Sequence, residues 1–587
     1  MRDQQTDPSA PKVSPVEAIK AASDHLRGQI AAELTDGSDS FGKDSVQVLK
    51  HHGAYQQDDR DVRGGGTRVS GGRSGKAYSY MVRTRIPGGK LSAAQLLGEL
   101  ELCDEVGNST LRITTRQGLQ LHGIVKRNLK RTIRRINEVQ LSTLAACGDV
   151  ERNIMCCPAP HDADPVHAEM QALADVLSKH LSPRTTAYHE LWLSDPDTGS
   201  THRVGGDAGR GTTEPIYGPT YLPRKFKTAI GLPGDNCVDL YTNDLGFMAI
   251  CEHYRIIGYN VLVGGGMGVT PSAKKTFPAL AQRLGFVPPE RVVELAVAVL
   301  KIHRDFGNRA DRKVARLKYV VADWGVQRFK AKVEEYYGGP LAPPHPDDVC
   351  GLDDHHGWHA QADNRWYYGL NIENGRLADT PRANLKSALR EILTRFRPGV
   401  RLTAQQSLLL TDLAAADQAA MEAVLGRHGV RLSDQISNAR RWSMACPALP
   451  TCGLAITESE RVLPGLIDAL EIELAKLGLA DETFTLRMTG CPNGCTRPYT
   501  ADIGLVGKTV GKYTIFLGGR MLGDRLNFVY QDLVPEQEVI PTLVPVLAYF
   551  RRDRQGGETL GDFCARQGAP QLQAWSRRYL EQGPDRS

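Results

Sequence analysis

This sequence predicts a duplicated α+β fold, and three ordered pairs of matching segments carry the prediction. Ile86-Pro-Gly-Gly-Lys-Leu91 is answered by Ile372-Glu-Asn-Gly-Arg-Leu377. Leu111-Arg-Ile-Thr-Thr-Arg-Gln-Gly-Leu-Gln-Leu121 then parallels Val400-Arg-Leu-Thr-Ala-Gln-Gln-Ser-Leu-Leu-Leu410. A third pair, Tyr259-Asn-Val-Leu-Val-Gly-Gly-Gly266 and Tyr513-Thr-Ile-Phe-Leu-Gly-Gly519, ends a strand in glycines both times. One short match arises by chance, but pairs in the same order along the chain are the mark of an internal repeat.

Each copy reads as strand, turn, helix, strand, followed by a larger sheet. That pattern predicts ferredoxin-like half-domains and two larger mixed α/β sheet domains. With 587 residues the chain exceeds one compact core. The expected division is an arm (1–75), a first half-domain (76–145), a first sheet domain (146–337), a linker with the second half-domain (338–430) and a second sheet domain (431–587). In the arm, Ile19, Leu26, Ile30 and Leu34 recur at helical spacing and predict one helix with an apolar face. The glycines at 64–66 and 71–72 predict a break before a strand-like run over 77–86. A Pro-, Asp- and His-rich stretch over 338–359 predicts a linker.

Hydrophobic residues make up 41% and charged residues 24%, the profile of a soluble globular chain. No apolar run reaches the roughly 18–20 residues that cross a bilayer. The first fourteen residues are polar and include Asp3 and Asp7, which argues against a secretory or transit leader. A cytoplasmic enzyme is expected. Net charge is 72 minus 67, or +5, which does not imply nucleic acid. Basic clusters over 127–135 and 309–318 read as solvated faces.

Twelve cysteines in a cytosolic chain point to metal or redox chemistry where they cluster. They cluster in Cys446-Pro-Ala-Leu-Pro-Thr-Cys452 and Cys491-Pro-Asn-Gly-Cys495. Four thiolates in two close pairs suit a cubane cluster, one sulfur per iron. The interposed Pro and Gly hold non-helical backbone whose amides can face the sulfurs. Zinc also takes four thiolates, but its ribbons and fingers use pairs separated by two to four residues, and here five separate the first. A radical enzyme would carry a third cysteine where Pro498 stands. Between the pairs, Leu463, Leu466, Leu470, Leu474 and Leu477 form an apolar helical stripe that core packing explains. The eight other cysteines lack ligand spacing and read as buried structural thiols. Gly264-Gly-Gly-Met-Gly268 does not fit G-x-G-x-x-G and reads instead as close backbone approach to an anionic cofactor.

The segments Met444-Ala-Cys-Pro-Ala-Leu-Pro-Thr-Cys452 and Thr489-Gly-Cys-Pro-Asn-Gly-Cys495 resemble those of siroheme-dependent sulfite and nitrite reductases. The resemblance runs from about residue 49 to 563 and includes the duplication. It implies a central site holding siroheme and a [4Fe–4S] cluster on Cys446, Cys452, Cys491 and Cys495, with Cys495 also the axial ligand of the siroheme iron. Arg83 in Tyr80-Met-Val-Arg83, Arg152 in Gly148-Asp-Val-Glu-Arg152-Asn, and Lys225 and Lys227 in Leu222-Pro-Arg-Lys225-Phe-Lys227 match positions that surround substrate oxygens in the family. Arg116, Gln120 and His122 match a segment contacting siroheme and its carboxylates, Arg309, Arg312 and Lys313 match a carboxylate-binding patch, and Asn493 falls in the second cysteine motif. Taken alone, His122 reads as a hydrogen-bonded core histidine. The chemistry demands cations, because siroheme bears eight carboxylates and sulfite is a dianion.

The implied reaction is assimilatory: sulfite to sulfide by six electrons. Nitrite to ammonia on the same scaffold is the alternative, although family members dedicated to nitrite commonly carry Asn where this chain has Lys227. A zinc-stabilised, non-catalytic binding protein is the reading from another class, and a colourless protein would mark it. A dissimilatory enzyme is disfavoured, since no C-x₂-C-x₂-C insert is visible. With no flavin or nicotinamide domain in view, electrons are expected from a separate protein. Gly53-Ala-Tyr-Gln-Gln-Asp-Asp-Arg-Asp61 resembles hemoprotein subunits served by an NADPH-oxidising flavoprotein. Ala146-Cys-Gly-Asp, Glu214-Pro-Ile-Tyr-Gly and Arg497-Pro-Tyr look closer to ferredoxin-dependent enzymes, so the donor stays open.

Overall fold

Four five-stranded sheets, related in pairs, make up the core of the computed structural model. It describes residues 13–62, 75–161 and 165–582, except 186, 189–190, 197, 199–200, 205–213, 272 and 363. The glycine break at 64–66 and 71–72 lies outside the described residues.

The two small sheets interlock. One orders the strands Ala54–Asp58, Tyr78–Thr84, Leu119–Ile124, Leu111–Ile113 and Arg376–Leu377. The other orders Gly357–Ala360, Arg365–Leu370, Leu408–Ala414, Gly399–Leu402 and Lys90–Leu91. Each half-domain thus lends its two-residue strand to the other's sheet: Leu377 lies opposite Leu111, and Leu91 opposite Val400. These lent strands are the first repeat pair of the sequence. The glycines just before them are required. Gly89 and Gly375 both have left-handed backbone, and a Cβ would come 2.5 Å from Leu402 O and 2.3 Å from Ile113 O. Helices Ala93–Glu105 and Leu385–Arg395 cover the sheets with their apolar faces. The first is started by a capping box between Ser92 and Gln95, worth about 1 kcal/mol.

The two larger sheets share one topology. Met155–Cys156, Thr228–Gly231 and Leu245–Glu252 run parallel, then Arg255–Val263 and Gln282–Val287 return antiparallel. Ser443–Ala445, Leu486–Thr489 and Ile503–Thr509 repeat the parallel part, and Lys512–Leu517 and Phe528–Pro535 the antiparallel part. The leucine stripe forms helix Leu463–Leu477, with Pro464 in its first turn and left-handed Gly478 ending it. Leu463, Leu466, Leu470 and Leu474 are buried, at about 1.5–3 kcal/mol each.

The arm departs from the single predicted helix. Pro15–Ala21 and Ile30–Glu33 are separate helices, and Asp24, His25, Leu26 and Gly28 between them have left-handed backbone. Ser23 causes the break: its hydroxyl accepts the Leu26 N–H at 3.0 Å and its carbonyl the Gly28 N–H at 2.7 Å, replacing helical bonds. The basic cluster over 309–318 is also not simply solvated, because Arg316 and Lys318 are buried. In the cluster over 127–135, Arg131 and Arg135 do lie on an exposed helix face, paired with Glu105 and Glu101.

Arg112 and Arg376 sit directly opposite each other on neighbouring strands, a repulsive placement unless a carboxylate is shared. Glu460 supplies it. It accepts from both guanidinium groups, and the Glu460 N–H donates to Cys446 O at 3.1 Å. Burial would raise the Glu460 carboxyl, but Arg112 and Arg376 hold it below the usual range. Removing one partner of such a network costs about 3–5 kcal/mol. Glu460→Gln should therefore lower the apparent Tm at pH 7 by about 2–4 °C in a thermal scan. A depressed carboxyl contributes stability above its unfolded pKa of about 4.3 and loses it as pH falls through the folded value. The Tm difference should accordingly persist down to about pH 4 and shrink below it; a difference that is absent or independent of pH contradicts the assignment.

Candidate active site

Two parallel strands deliver the cysteines. Ser443–Ala445 and Leu486–Thr489 run side by side, with Ala445 opposite Met488, so Cys446 and Cys491 emerge at the same sheet edge. Ligand sites in parallel sheets form beyond such C-terminal strand ends. Gly490 lets the chains approach there: a Cβ would lie 2.4 Å from Thr457 O, and its N–H donates to Cys446 Sγ at 3.3 Å. The Asn493 amide donates to Cys491 Sγ at 3.4 Å. Arg60 of the arm donates to Ala455 O at 2.9 Å and to Cys452 O, holding the first cysteine loop.

All four cysteines line one cavity of about 400 Å³. Cys446 and Cys491 are buried, Cys452 is half-buried and Cys495 is exposed to the cavity space. Burial first, then the neighbouring Cys495, pushes the Cys446 and Cys452 thiols up, and the Cys491 thiol up to about 11. Four thiols that share one cavity can ionise together only with metal cations among them, so the donor set fits a metal cluster.

Cys495 also lines a second cavity of about 120 Å³, together with Arg83, Arg116, Arg152, Lys225 and Lys227. Five cations and no carboxylate face that space among the described residues, which makes it a site for an anion. A third, smaller pocket joins Cys495 to Lys225, Lys227, Arg316, Asn493 and Arg497. Arg316 and Arg497 pair with Asp244 and Asp239, whereas Arg83, Arg116 and Arg152 of the second cavity are held by neutral partners. Arg83 lies opposite Gln120 across the strand pair, and the Gln120 amide oxygen, turned toward it, accepts from Arg83 Nε at 3.1 Å. Arg83 also donates to Cys147 Sγ at 3.0 Å. Arg152 donates to Gly148 O at 3.0 Å. Arg116 donates to Asn243 Oδ1 at 2.7 Å and Asn153 O at 2.6 Å, while its Nε is buried with no hydrogen-bond partner. Lys225 and Lys227 flank Phe226, which bridges to Glu151, so both ammonium groups face the same space as predicted for an extended segment. Burial drives both lysines well below the usual range, followed by Arg224 and Arg152 for Lys225 and by Lys225 and then Arg116 for Lys227. Crowded, desolvated cations of this kind favour an anion between them.

Other predicted residues stand apart. His122 is buried, outside these cavity linings, with neither ring nitrogen hydrogen-bonded, so it is not the hydrogen-bonded core histidine expected of a lone His. Burial and then Arg376, Arg112 and Arg83 hold its imidazole neutral. Arg309 pairs with Glu17 of the arm and Lys313 is exposed. Arg312 does line the larger cavity, but its fork is spent on Asp149, at 2.8 and 3.0 Å. The glycines at 264–266 approach protein rather than an open site: a Cβ on Gly265 would meet Tyr241 O at 2.3 Å, and only Gly268 lines a pocket. Sequence reading missed Arg224, Arg316 and Arg497 as lining cations. Arg224, directly before Lys225, carried the clearest signal.

The description "Nitrite and sulphite reductase 4Fe-4S domain" matches residues 172–341 and 437–583, and "Nitrite/Sulfite reductase ferredoxin-like half domain" matches 72–139 and 359–428. The chain belongs to the nitrite and sulfite reductase family. The "Sulfite reductase [NADPH] hemoprotein beta-component" of Staphylococcus saprophyticus is 42% identical to it, over 95% of this chain and 96% of that one. The "Sulfite reductase [ferredoxin]" of Synechococcus elongatus is 43% identical, over 97% and 92%. Among solved structures, NirA of Mycobacterium tuberculosis superposes with a TM-score of 0.77 at 26% identity, covering 96% of this chain and 98% of that one. No helix among the described residues is long and apolar enough to cross a membrane.

Proposed function

We infer that this member of the family is a sulfite reductase that reduces sulfite to sulfide, using siroheme and a [4Fe–4S] cluster. The observation that carries the reading is the cation-lined, carboxylate-free space into which Cys495, one of the four cavity-lining cysteines, projects. When bound, the two groups supply an iron site for the substrate sulfur and a path for single electrons.

Cys446, Cys452, Cys491 and Cys495 would hold the cluster, and Cys495 would also ligate the siroheme iron. Arg116 is assigned to the tetrapyrrole carboxylates, while Arg312 is held by Asp149 and braces the wall of the larger cavity. Gln120 orients Arg83, Asn493 supports Cys491, and His122 stays neutral behind the strand. Arg309 braces the arm through Glu17, and Lys313, exposed to solvent, is assigned no part in the site. Arg83 and Arg152 orient the substrate oxygens by charge-assisted hydrogen bonds. With an anion between them, Lys225 and Lys227 hold protons at Nζ. Their depressed pKa makes each a better acid than an ordinary lysine toward an oxygen that gains charge as it departs. The protons lost are replaced from solvent as three oxygens leave as water.

The electron donor is a separate reduced protein, a ferredoxin or an NADPH-oxidising flavoprotein, and turnover with each one supplied alone identifies it. The test of the reading is direct. The purified protein should absorb strongly in the visible and oxidise reduced methyl viologen when sulfite is added but not in the absence of an acceptor. A colourless protein with zinc on four cysteines overturns the reading.

A further inference from the structure

The duplicated fold has a second sheet edge equivalent to the one that carries the cysteines. Met155–Cys156 and Thr228–Gly231 are the counterparts of Ser443–Ala445 and Leu486–Thr489. Cys157 follows the first of them as Cys446 follows its own strand, and Asp235 and Cys237 lie in the turn after the second. A third segment, the linker before strand Gly357–Ala360, brings in His355.

Ligand atoms of these four residues all lie within 4.8 Å of one another. Cys157 Sγ is 2.9 Å from Asp235 Oδ2 and 3.8 Å from His355 Nε2, and those two are 3.2 Å apart. Tetrahedral zinc with bonds of about 2.0–2.3 Å separates its ligands by about 3.3–3.8 Å, so only small side-chain movements are needed. Cys157, Cys237 and His355 are 0–1% exposed, so the donors are already gathered out of water.

We propose that Cys157, Asp235, Cys237 and His355 bind one zinc ion, a structural site that staples the linker between the two halves to the first large sheet. Two thiolates, an imidazole and a carboxylate are a zinc donor set, and four protein ligands leave no open position. Further contacts hold the ligands in place. The Asp235 Oδ1 accepts N–H groups of Cys237 and Asp353, at 3.2 and 3.3 Å, and Gln405 donates to Cys237 O at 2.7 Å. His355 Nδ1 lies 3.7 Å from Asp353 Oδ2, and the ring's other nitrogen faces Cys157 Sγ at 3.8 Å. An adjoining cavity of about 490 Å³, lined by His161, His167, Asp235 and His355, gives the ion a way in. The expectation that all eight remaining cysteines are buried fails at Cys251 and Cys350, which are exposed.

The experiment is zinc analysis of the holoprotein, grown with zinc sulfate and dialysed against a weak chelator, followed by X-ray absorption at the zinc edge. Iron does not interfere at that edge. About one zinc per chain is expected, with two sulfur neighbours at about 2.3 Å and two nitrogen or oxygen neighbours at about 2.0 Å. The double variant Cys157→Ser/Cys237→Ser should lose at least tenfold of that zinc while siroheme and cluster absorption persist. Should the variant fold poorly, the wild-type zinc content and edge still decide. Less than a tenth of a zinc per wild-type chain overturns the proposal. So does a zinc shell of four sulfurs or of none, or a native Cys157–Cys237 disulfide found by mass spectrometry.

Discussion

Cys495→Ser should remove both redox signatures at once: the cluster EPR signal and the siroheme absorption are altered together, and sulfite turnover falls below about 1% of wild type. All three cavities of the site meet at this residue. Its backbone is fixed independently of its sulfur, since Thr115 donates to Cys495 O at 3.0 Å, so the substitution changes the ligand rather than the loop. Serine offers a harder, far more basic oxygen than the thiolate that iron–sulfur clusters take. Cys103→Ser provides the control. Cys103 is buried in the first half-domain with its thiol on Leu100 O, and its replacement should leave both spectra unchanged. Unaltered siroheme spectra in Cys495→Ser contradict the assignment of that residue.

The second large effect is expected from the cations. Neutralising Arg83, Arg152, Lys225 or Lys227 singly should lower sulfite turnover about tenfold or more, with cofactor spectra preserved. A merely destabilising change would lose cofactor too, so the spectra separate the two outcomes. Lys227→Asn carries a further expectation, because sulfite is largely a dianion near neutral pH and nitrite a monoanion. At an effective dielectric near 20, one charge pair at about 4 Å contributes roughly 4 kcal/mol before desolvation. About 1.4 kcal/mol is already tenfold, so a fraction of that sum suffices. Lys227→Asn should therefore reduce kcat/KM for sulfite more than for nitrite. Normal turnover in all four single variants would dispose of the cationic substrate site.

Much of this was legible in the residues. The repeat pairs correspond to equivalent strands in the two halves, and the cysteine spacing singled out the four thiols that share a cavity. The exchange of Lys90–Leu91 and Arg376–Leu377 between sheets was not legible, because a two-residue strand has no periodicity and its partner lies in the other half. Arg83, Arg152, Lys225 and Lys227 came from resemblance, since each alone is an ordinary surface charge until the fold faces them inward. Arg309 and Lys313 looked equivalent in sequence, but Glu17, a residue of the arm, claims the first, and the second points to solvent. The single predicted arm helix failed on a local competition, the Ser23 bonds that divert the backbone. The site at Cys157 was invisible because three distant segments build it and neither cysteine has a partner at ligand spacing.

The most direct measurement is an anaerobic turnover in which electrons consumed, substrate lost and sulfide formed are counted together, with sulfite and then nitrite at matched donor supply. The account predicts sulfide as the product, six electrons per sulfite, and a higher kcat/KM for sulfite than for nitrite. Ammonia from nitrite at the higher kcat/KM, or sulfite consumed without sulfide, would contradict it.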